Sequence, residues 1–257
     1  MKITSRKNQL AVQSRGLLRE KKIRDDTGLF AAEGVKLCLE ALSAGVTAKW
    51  ALVSESASEK FVEAVAEIEQ SCAVTVVSDD VYDYVSEQKS PQGILLAGQI
   101  LDKSANLDRI LSSDKILLLD CVQDSGNIGT MLRTAEALGI GGAVLGEGCA
   151  DIWSPKTLRA SMGSVFRLPT CVMDTADAVR AAKEKGFAVY AAMLDETAQR
   201  LGSFTVPQRS AVVIGNEGHG VSEKAAELCQ KIYIPISGAE SLNAAAAAAI
   251  LCWELSK

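Results

Sequence analysis

The segments AVVIGNEGHG (residues 211–220) and IYIPISGAESLN (residues 232–243) decide the fold of this chain. Each one begins as an apolar run typical of a strand and continues into a loop rich in glycine and polar residues. Open α/β sheets bind their ligands at the carboxyl ends of the strands. The sequence therefore predicts that these two strand exits form two walls of one ligand pocket.

The rest of the second half of the chain alternates between short apolar runs and helical patterns. Further apolar runs lie at residues 116–119, 143–145 and 188–192. This alternation favours a mostly parallel sheet with helices on both faces, in a domain at residues 113–257. Alanine is the best helix former, so residues 244–249 predict an ordered helix after the second loop.

The first hundred residues predict a smaller α/β domain of their own. Helices are expected at residues 8–22 and 33–44, and strands at 50–53, 74–77 and 94–97. The polar residues 101–112 then form the linker to the second domain. Within the second domain, residues 154–169 predict a helix, a glycine-containing turn and a short strand.

The composition limits the classes of function. With 257 residues and 48% hydrophobic content, the chain can bury a large core. No apolar run approaches the roughly 18 residues of a membrane helix, and the basic amino terminus lacks the apolar centre of a signal peptide. We therefore expect a cytoplasmic protein that does not bind a membrane. The seven cysteines are scattered and His219 is the sole histidine, so no metal site is expected.

Positive charge is concentrated at the amino terminus, although the net charge of the chain is −5. Residues 1–24 hold eight basic side chains against one acidic side chain, Glu20. A local basic segment is the electrostatic footprint of phosphate binding, so it indicates a contact with nucleic acid. A solvated helix face is the alternative that charge alone leaves open.

Several polar residues stand where a parallel sheet would present them to a ligand. Asn127 follows a predicted strand and turn and is a candidate helix N-cap, and Arg133 falls on the face of that helix opposite its apolar residues. Glu217 lies between glycines, where a carboxylate can accept a hydrogen bond from a substrate or an arginine. Asn243 or Ser241 can cap the alanine-rich helix or contact a substrate. For each of these residues a purely structural role is the alternative.

Three segments together resemble the motifs of the SpoU/TrmH family of RNA 2′-O-ribose methyltransferases, in the SPOUT superfamily. NIGTMLRTA (residues 127–135) resembles the first motif, VVIGNEGHGVS (212–222) the second, and IPISG (234–238) with ESLN (240–243) the third. Residues 4–8 and 30–35 are similar to the substrate-binding extension of many members. The resemblance therefore covers nearly the whole chain.

This resemblance implies a fold, a cofactor and partners. It implies an α/β architecture, with a small N-terminal domain similar to certain ribosomal proteins at residues 1–100. A linker at residues 101–112 then leads to a C-terminal SPOUT domain at 113–257, whose parallel sheet contains a deep trefoil knot. The implied cofactor is S-adenosyl-L-methionine, and the implied partners are RNA, with rRNA favoured over tRNA, and a second copy of the chain in a homodimer.

The resemblance also assigns roles to individual residues. The catalytic positions are Arg133, Asn127, Glu217 and Asn243. The positions expected to line the cofactor pocket are Gly215, Asn216, Gly220, Ile234, Ile236, Ser241 and Leu242. Contacts with RNA are expected from Arg6, Lys7, Lys21, Lys22, Arg24, Arg159 and Ser161.

The implied reaction is in-line attack of a ribose 2′-hydroxyl on the methyl group of the donor's sulfonium. A guanidinium stays protonated, with a pKa above about 12, so we expect Arg133 to clamp a neighbouring phosphate and polarise the 2′-oxygen. The alternatives are a SPOUT enzyme that methylates tRNA or a base, and an RNA-binding relative without activity. The chain lacks an early G-x-G-x-x-G motif, which disfavours a nucleotide-dependent oxidoreductase.

Overall fold

A computed structural model describes residues 2–101, 106–238 and 241–257, and the chain divides into two compact units. The first unit contains residues 1–101 and 151–166, and the second contains residues 102–150 and 167–257. The sequence-based boundaries place residues 151–166 in the second domain, so the grouping of this segment differs from the prediction. Residues 102–105 of the predicted linker lie outside the described residues.

Helices and strands alternate along most of the chain. Up to residue 99 they are α1 (Gln9–Arg19), α2 (Lys21–Thr27), β1 (Leu29–Glu33), α3 (Val35–Ser43), β2 (Ala48–Ser54), α4 (Glu55–Lys60), α5 (Val62–Glu69), β3 (Ala73–Val77), α6 (Asp79–Val85) and β4 (Ile94–Gln99). From residue 106 they are α7 (Asn106–Leu111), β5 (Lys115–Leu119), α8 (Ser125–Ala137), β6 (Ala143–Leu145), α9 (Pro155–Ser161), α10 (Ser164–Arg167), β7 (Thr170–Val172), α11 (Thr175–Glu184), β8 (Ala188–Ala192), β9 (Gln199–Arg200), β10 (Ser210–Ile214), α12 (Glu223–Ala226), β11 (Gln230–Tyr233) and α13 (Ala244–Ser256). Among the helices of the described ranges, none combines the length and the hydrophobicity needed to span a membrane.

The first unit is built on a mixed sheet with the strand order β1-β4-β2-β3. β4 pairs antiparallel with β1 and β2, and β2 pairs parallel with β3. The apolar side of α1 and that of α6 pack on one face of this sheet, where they bury Leu17, Leu18, Tyr82 and Leu95. The amphipathic pattern of α1 is therefore a core pattern, and it leaves the basic residues of that helix on the outside.

Two predicted helix boundaries in the first unit are wrong. The helix expected at residues 8–22 is interrupted at Glu20, whose backbone is extended (φ −119°, ψ 112°), and α2 begins after it. The helix expected from residue 33 begins at Val35, because Glu33 ends β1 and Gly34 turns the chain with a φ of 105°. β1 was not anticipated, since its two alanines favour a helix and only the pairing with β4 makes it a strand.

Residues 151–166 join the first unit through one buried ion pair and one aromatic cluster. Asp151 accepts hydrogen bonds from Arg24, at 2.9 Å from Nε, and their side chains are 13% and 5% exposed. The rings of Phe30 and Trp153 stack with centroids 5.0 Å apart, and Phe166 lies 5.5 Å from Phe30. Both contacts remove large side chains of this segment from water, which explains why it groups with the amino-terminal residues.

The second unit is built on a parallel sheet with the order β7-β6-β5-β10-β8-β11-β9, as the alternation of the sequence predicts. On one face Ile116, Leu118 and Val213 pack with apolar residues of α11 and α12. The alternate residues Leu117 and Val212 are also fully buried, so both faces of the central strands are covered. α13 contacts α8 as well as β5 and β10.

Two details of the second half differ from the predictions. Residues 165–169 were expected to form a strand, but α10 covers Ser164–Arg167 and the strand β7 begins only at Thr170. The apolar run at 232–236 forms ladder pairs only up to Tyr233, because Pro235 has no N–H to donate. The helix expected at residues 244–249 is confirmed and extends to Ser256.

Candidate active site

The loops that follow β5 and β10 lie next to each other in the second unit. These two strands are parallel neighbours, with Leu119 opposite Ile214. The loop after β5 leads into α8, and the loop after β10 is the glycine-rich segment 215–220. Because both strands run in the same direction, both loops emerge at the carboxyl edge of the sheet.

Glu217 connects the two loops by hydrogen bonds. Its Oε1 accepts from Nδ2 of Asn127 at 2.9 Å and from the backbone N–H of Asp124 at 3.1 Å. Its Oε2 accepts from the backbone N–H of Gln123 at 3.1 Å. The carboxylate is therefore held in place by three donors from the segment between β5 and α8.

Asn243 extends this arrangement to the last helix. Its Nδ2 donates to Oδ1 of Asn127 at 3.1 Å, and its Oδ1 accepts from the N–H groups of Ala245 and Ala246 at 2.9 and 3.2 Å. It is thus the N-cap of α13, as predicted, and a neighbour of Asn127 at the same time. We call the connected side chains of Glu217, Asn127 and Asn243 the polar triad.

The N-cap of α8 is Asp124, and the prediction that Asn127 has this role is wrong. Oδ1 of Asp124 accepts from the N–H groups of Gly126 and Asn127 at 2.6 and 3.0 Å. Both residue types are good caps, and the helix begins one turn earlier than the sequence suggested. The side chain of Asn127 is consequently available for the polar triad.

The pKa of Glu217 is lowered from its ordinary value. Partial burial alone would raise the pKa, but the hydrogen bond from Asn127 and the backbone donors of Gln123 and Asp124 favour the charged form and outweigh it. Glu217 is therefore an anion near neutral pH, and the three donors that stabilise its charged form make it a poor acceptor for a further proton.

Arg133 lies on α8, six residues after Asn127. Its side chain is exposed and has no hydrogen-bond or ion-pair partner among the described residues. Six residues correspond to about 600° of helix rotation, so Arg133 and Asn127 do not share one face of α8. The same helix buries Ile128, Met131, Leu132 and Ala135. The structure thus points Arg133 away from the core, as the sequence predicts. The expectation that Glu217 helps to fix Arg133 is wrong, because the carboxylate of Glu217 accepts from Asn127 and from the backbone of Gln123 and Asp124.

The glycine-rich loop folds back on itself. Asn216 and Gly220 exchange two backbone hydrogen bonds of 2.9 Å, and Nδ2 of Asn216 donates to the backbone oxygen of Cys121 at 2.8 Å. A Cβ on Gly215 would lie 2.1 Å from the carbonyl carbon of Gly220, so no other residue fits there without a shift of the backbone. His219 is exposed and contacts only Asn216 within this loop.

Two cavities lie beside this loop in the second unit, and both are lined by Ala192, Ser241, Leu242 and Ala247. The first, of about 230 Å³, is mostly apolar and is also lined by Met193, Leu194, Ile232, Tyr233, Ile234 and Ile236. The second, of about 440 Å³, is also lined by Ile214, Gly215, Asn216, Glu217, Gly220, Asn243 and Ala244. Each residue predicted to bind a cofactor lines at least one of them. Glu240, part of the third motif, lies outside the described residues.

Two residues predicted to contact RNA are buried in the first unit. Arg24 is 4% exposed, since its guanidinium is paired with Asp151 and donates to the backbone oxygen of Leu17 at 2.7 Å. Ser161 is fully buried, and its hydroxyl donates to the backbone oxygen of Leu158 at 2.9 Å. Neither position fits a contact with RNA, and both side chains have structural roles.

The other predicted RNA contacts have more exposed side chains. Arg6 pairs with Asp80, and Lys21 pairs with Asp25 at 2.7 Å. The exposed ammonium groups of Lys7 and Lys22 have no ion-pair partner in the described part of the chain. Arg159 is half-buried on α9.

Asp120, which follows β5 directly, is a further polar residue at this edge of the sheet, and the sequence motifs do not predict its role. It is 3% exposed, and its carboxylate accepts from the hydroxyl of Thr175 at 2.8 Å and from the N–H of Ser222 at 2.7 Å. It therefore anchors Ser222, two residues after the glycine-rich loop. A carboxylate directly after a buried strand is the one feature of the sequence that points to Asp120. Its partners lie 55 and 102 residues away, so the sequence does not show which groups it contacts.

Comparisons with known proteins relate both halves of the chain to described families. Residues 114–253 match the model of the SpoU rRNA Methylase family, and residues 11–96 match the model of an MRM3-like substrate binding domain. The chain is 36% identical over 257 residues to the 23S rRNA (guanosine(2553)-2′-O)-methyltransferase RlmP of Bacillus subtilis, with 98% of each chain covered.

Solved structures with the same fold include two that contain a cofactor. The AdoMet-bound rRNA methyltransferase from Sinorhizobium meliloti has a TM-score of 0.87 and 30% identity, over 99% of this chain and 97% of the other. The SpoU methyltransferase AviRb from Streptomyces viridochromogenes, in complex with AdoMet, has a TM-score of 0.85 and 27% identity, over 97% of both chains. The similarity extends over both units.

Proposed function

The chain belongs to the SpoU rRNA methylase family, and we propose that it transfers a methyl group from S-adenosyl-L-methionine to a ribose 2′-hydroxyl of rRNA. One observation carries this proposal. Glu217 and Asn243 of the polar triad line a cavity at the carboxyl edge of the parallel sheet, in a chain that is similar over 98% of its length to a 2′-O-methyltransferase.

The residues around the two cavities fit the proposed cofactor. Ile234, Ile236 and Leu242 form an apolar surface suited to an adenine ring, and the backbone beyond Tyr233 has left the ladder and can bind its edge. The absence of a side chain at Gly215 lets the backbone approach a ligand closely. When bound, the cofactor supplies a methyl group already activated by the positive charge of a sulfonium.

The polar triad acts as a positioning device in this proposal. Glu217 fixes Asn127 by one hydrogen bond, and Asn243 fixes it by a second, so the amide of Asn127 has one orientation. Alignment of reacting groups alone can contribute about 7–11 kcal/mol to catalysis in favourable cases. Glu217 is a poor general base, because its pKa is lowered by the hydrogen bonds that its carboxylate accepts.

Arg133 is the proposed catalytic residue that meets the RNA. Its guanidinium is exposed and unpaired among the described residues, and it can bind a phosphate with two parallel hydrogen bonds. It cannot accept a proton, so the proton of the 2′-hydroxyl leaves to water or to a phosphate oxygen. Arg133 polarises the 2′-oxygen and holds the nucleotide while this happens.

The amino-terminal residues are proposed to bind the RNA. The match of residues 11–96 to a substrate-binding domain supports this role for residues 1–100, with 101–112 as a linker and 113–257 as the catalytic domain. Among the predicted RNA contacts, Lys7 and Lys22 are proposed to bind phosphate, because both are exposed and no carboxylate neutralises them in the described ranges.

Three further features complete the proposal. The chain forms a homodimer, which is supported by the exposed apolar side chains of Ile250 and Trp253 on α13, 40% and 57% exposed. The carboxyl-terminal part of the sheet contains a trefoil knot, which is supported by the likeness to SPOUT enzymes. The protein is proposed to act in the cytoplasm, which is supported by its similarity to an rRNA methyltransferase of Bacillus subtilis.

The test is to map 2′-O-methylated nucleotides in RNA from cells with and without the gene. One rRNA position should lose its methyl group in the deletion strain and regain it with the wild-type gene, but not with the Arg133→Ala gene. Digestion to nucleosides separates ribose from base methylation. A lost tRNA methyl group, a lost base methyl group or an unchanged RNA would each contradict the proposal in a different way.

A further inference from the structure

The loop between β8 and β9 forms part of the wall of the apolar cavity, which is the cavity of about 230 Å³ in the second unit. Met193 and Leu194 of this loop line the cavity together with Ile234, Ile236 and Leu242. The last three residues form the surface suited to an adenine ring. The loop therefore lies at the end of the site where the proposed cofactor places its adenine.

Both ends of this loop are held by β11. The N–H of Met193 donates to the backbone oxygen of Ile232 at 3.0 Å, and the N–H of Leu201 donates to that of Tyr233 at 2.9 Å. Residues 194–198, between these ends, belong to no strand. Their position consequently depends on contacts other than a ladder of backbone hydrogen bonds.

The carboxylate of Asp195 connects the middle of the loop to β11. Its Oδ2 accepts from Nζ of Lys231 at 2.8 Å, and the two side chains are only 26% and 28% exposed. Its Oδ1 accepts from the N–H and the hydroxyl of Thr197 at 2.8 and 2.5 Å. The hydrogen bonds from Lys231 and Thr197 hold the pKa of Asp195 well below its ordinary value. One carboxylate thus fixes the turn of the loop and ties it to a neighbouring strand.

Leu194 is the residue next to this carboxylate. Its side chain is 72% exposed, although it lines the apolar cavity. A ligand in the cavity would remove apolar surface of Leu194 from water, which favours binding. Leu194 can cover a ligand in this way only while the loop stays beside the cavity.

The ion pair between Asp195 and Lys231 has more effect on a ligand than on the fold. Partly exposed ion pairs usually contribute little to the stability of a protein. A contact that orders a loop before the ligand arrives reduces the entropy that binding costs. We therefore expect the pair to influence the affinity for a ligand in the apolar cavity.

We propose that Asp195 is a positioning residue for cofactor binding, and that its ion pair with Lys231 holds Leu194 at the apolar cavity. Neither charged side chain lines either of the two cavities, so both act through Leu194. Leu194 packs against the adenine end of the bound cofactor. The inference rests on the proposed function, which makes S-adenosylmethionine the ligand.

The test measures the affinity of the full chain for S-adenosylmethionine by isothermal titration. Asp195→Asn and Lys231→Met should each raise Kd about fivefold, the lower end of the usual coupling between a remote group and a ligand. The double variant should bind no more weakly than either single variant, because both remove the same contact. Lys224→Met breaks a different ion pair of this unit, with Asp174, and should leave Kd unchanged.

Substitution of Leu194 tests how the effect reaches the cofactor. Leu194→Ala should itself weaken binding. Asp195→Asn added to Leu194→Ala should raise Kd by less than about twofold more, because the side chain that Asp195 positions is gone. Leu194→Met keeps a large apolar side chain, so it should retain most of the affinity and the full sensitivity to Asp195→Asn.

Two results would overturn the inference. One is an unchanged Kd in both Asp195→Asn and Lys231→Met, which change the pair from opposite sides and do not depend on each other's folding. The other is an equal loss of affinity from Asp195→Asn with and without the side chain of Leu194. A wild-type chain that does not bind S-adenosylmethionine would instead contradict the proposed function, so the two failures are distinguishable.

Discussion

Asn127 and Glu217 are 90 residues apart in the sequence and are joined by a 2.9 Å hydrogen bond between an amide nitrogen and a carboxylate oxygen. One residue lies on α8 and the other in the glycine-rich loop, so the bond fixes the spacing of two strand exits. The backbone donors of Gln123 and Asp124 occupy the same carboxylate. Substitutions at these positions should therefore act mainly by changing the relative position of the two loops, and not by removing a group that reacts.

The free energy of unfolding of the Glu217→Gln variant should depend less on pH in the acidic range than that of the wild type. The folded pKa of Glu217 is lowered, so its charge stabilises the fold above the unfolded pKa of about 4.3, and this contribution is lost as the pH falls through the folded value. Chemical denaturation should show that the difference in the free energy of unfolding between wild type and variant is constant from pH 6 to 8. The difference should shrink below about pH 4. A difference that grows in acid would contradict the lowered pKa.

Asn243→Ala and Asn243→Ser should separate capping from catalysis. Alanine removes the cap of α13 and should cost about 1 kcal/mol in the free energy of unfolding, whereas serine should restore most of it. Both variants lose the donor to Asn127, so both should reduce kcat. Asp174→Ala, which removes the cap of α11, should lower stability and leave kcat unchanged. Full activity of Asn243→Ser would reduce Asn243 to a cap.

The Arg133→Ala variant should lose turnover but bind the cofactor with unchanged affinity. Loss of a group that stabilises the transition state typically lowers kcat about 100-fold or more. Isothermal titration should give an unchanged affinity for S-adenosylmethionine. Arg180→Ala removes another exposed arginine of the second unit and should be without effect. An active Arg133→Ala enzyme would reject the assignment.

Gly215→Ala and Gly218→Ala should behave in opposite ways. A Cβ at residue 215 would overlap the backbone of Gly220, so the loop must move, at a cost of about 1–3 kcal/mol, and cofactor affinity should fall. A Cβ at residue 218 would lie 3.6 Å from Oδ1 of Asn216, an ordinary contact. Its effect on stability should stay within about 0.5 kcal/mol. Equal thermal midpoints and cofactor affinities for the two variants would contradict the described loop.

Arg24→Met should destabilise the first unit, and Lys22→Met should weaken RNA binding. Removal of Arg24 leaves the carboxylate of Asp151 uncompensated, which typically costs about 3–5 kcal/mol. Lys22 is exposed, so its loss should leave the free energy of unfolding unchanged. The salt slope, which is the slope of the logarithm of the RNA binding constant against the logarithm of the salt concentration, should decrease in magnitude by about one. Each of the two substitutions removes one positive charge, but Arg24 is buried and Lys22 is exposed. A stable Arg24→Met variant with a reduced salt slope would restore Arg24 as an RNA contact.

The sheet of the second unit was predictable from the sequence because its strands are buried on both faces. Continuous apolar runs such as residues 116–119 and 211–214 have few other interpretations when helical patterns separate them. The positions of the loops followed from the same pattern. β1 could not be found in this way, since its sequence LFAAE has no strand signal without its partner β4.

The candidate site was predictable in type, but not in its connections. Asn127, Glu217 and Asn243 stand at loops that the sequence places correctly, yet their mutual hydrogen bonds join segments about one hundred residues apart. Arg24 shows the limit most clearly. A count of basic residues places it on a charged surface, whereas its partner Asp151 lies 127 residues away and removes it from solvent.

The first unit consists of two separate stretches of the chain, and this affects its folding during synthesis on the ribosome. Its last piece, residues 151–166, carries Asp151 and Trp153 and is translated only after the first part of the parallel sheet. A nascent chain of one hundred residues therefore contains Arg24 without its counterion and Phe30 without its stacking ring. A gene fragment that stops at residue 101 should yield an aggregation-prone product, and a useful truncation must carry the later segment along with it.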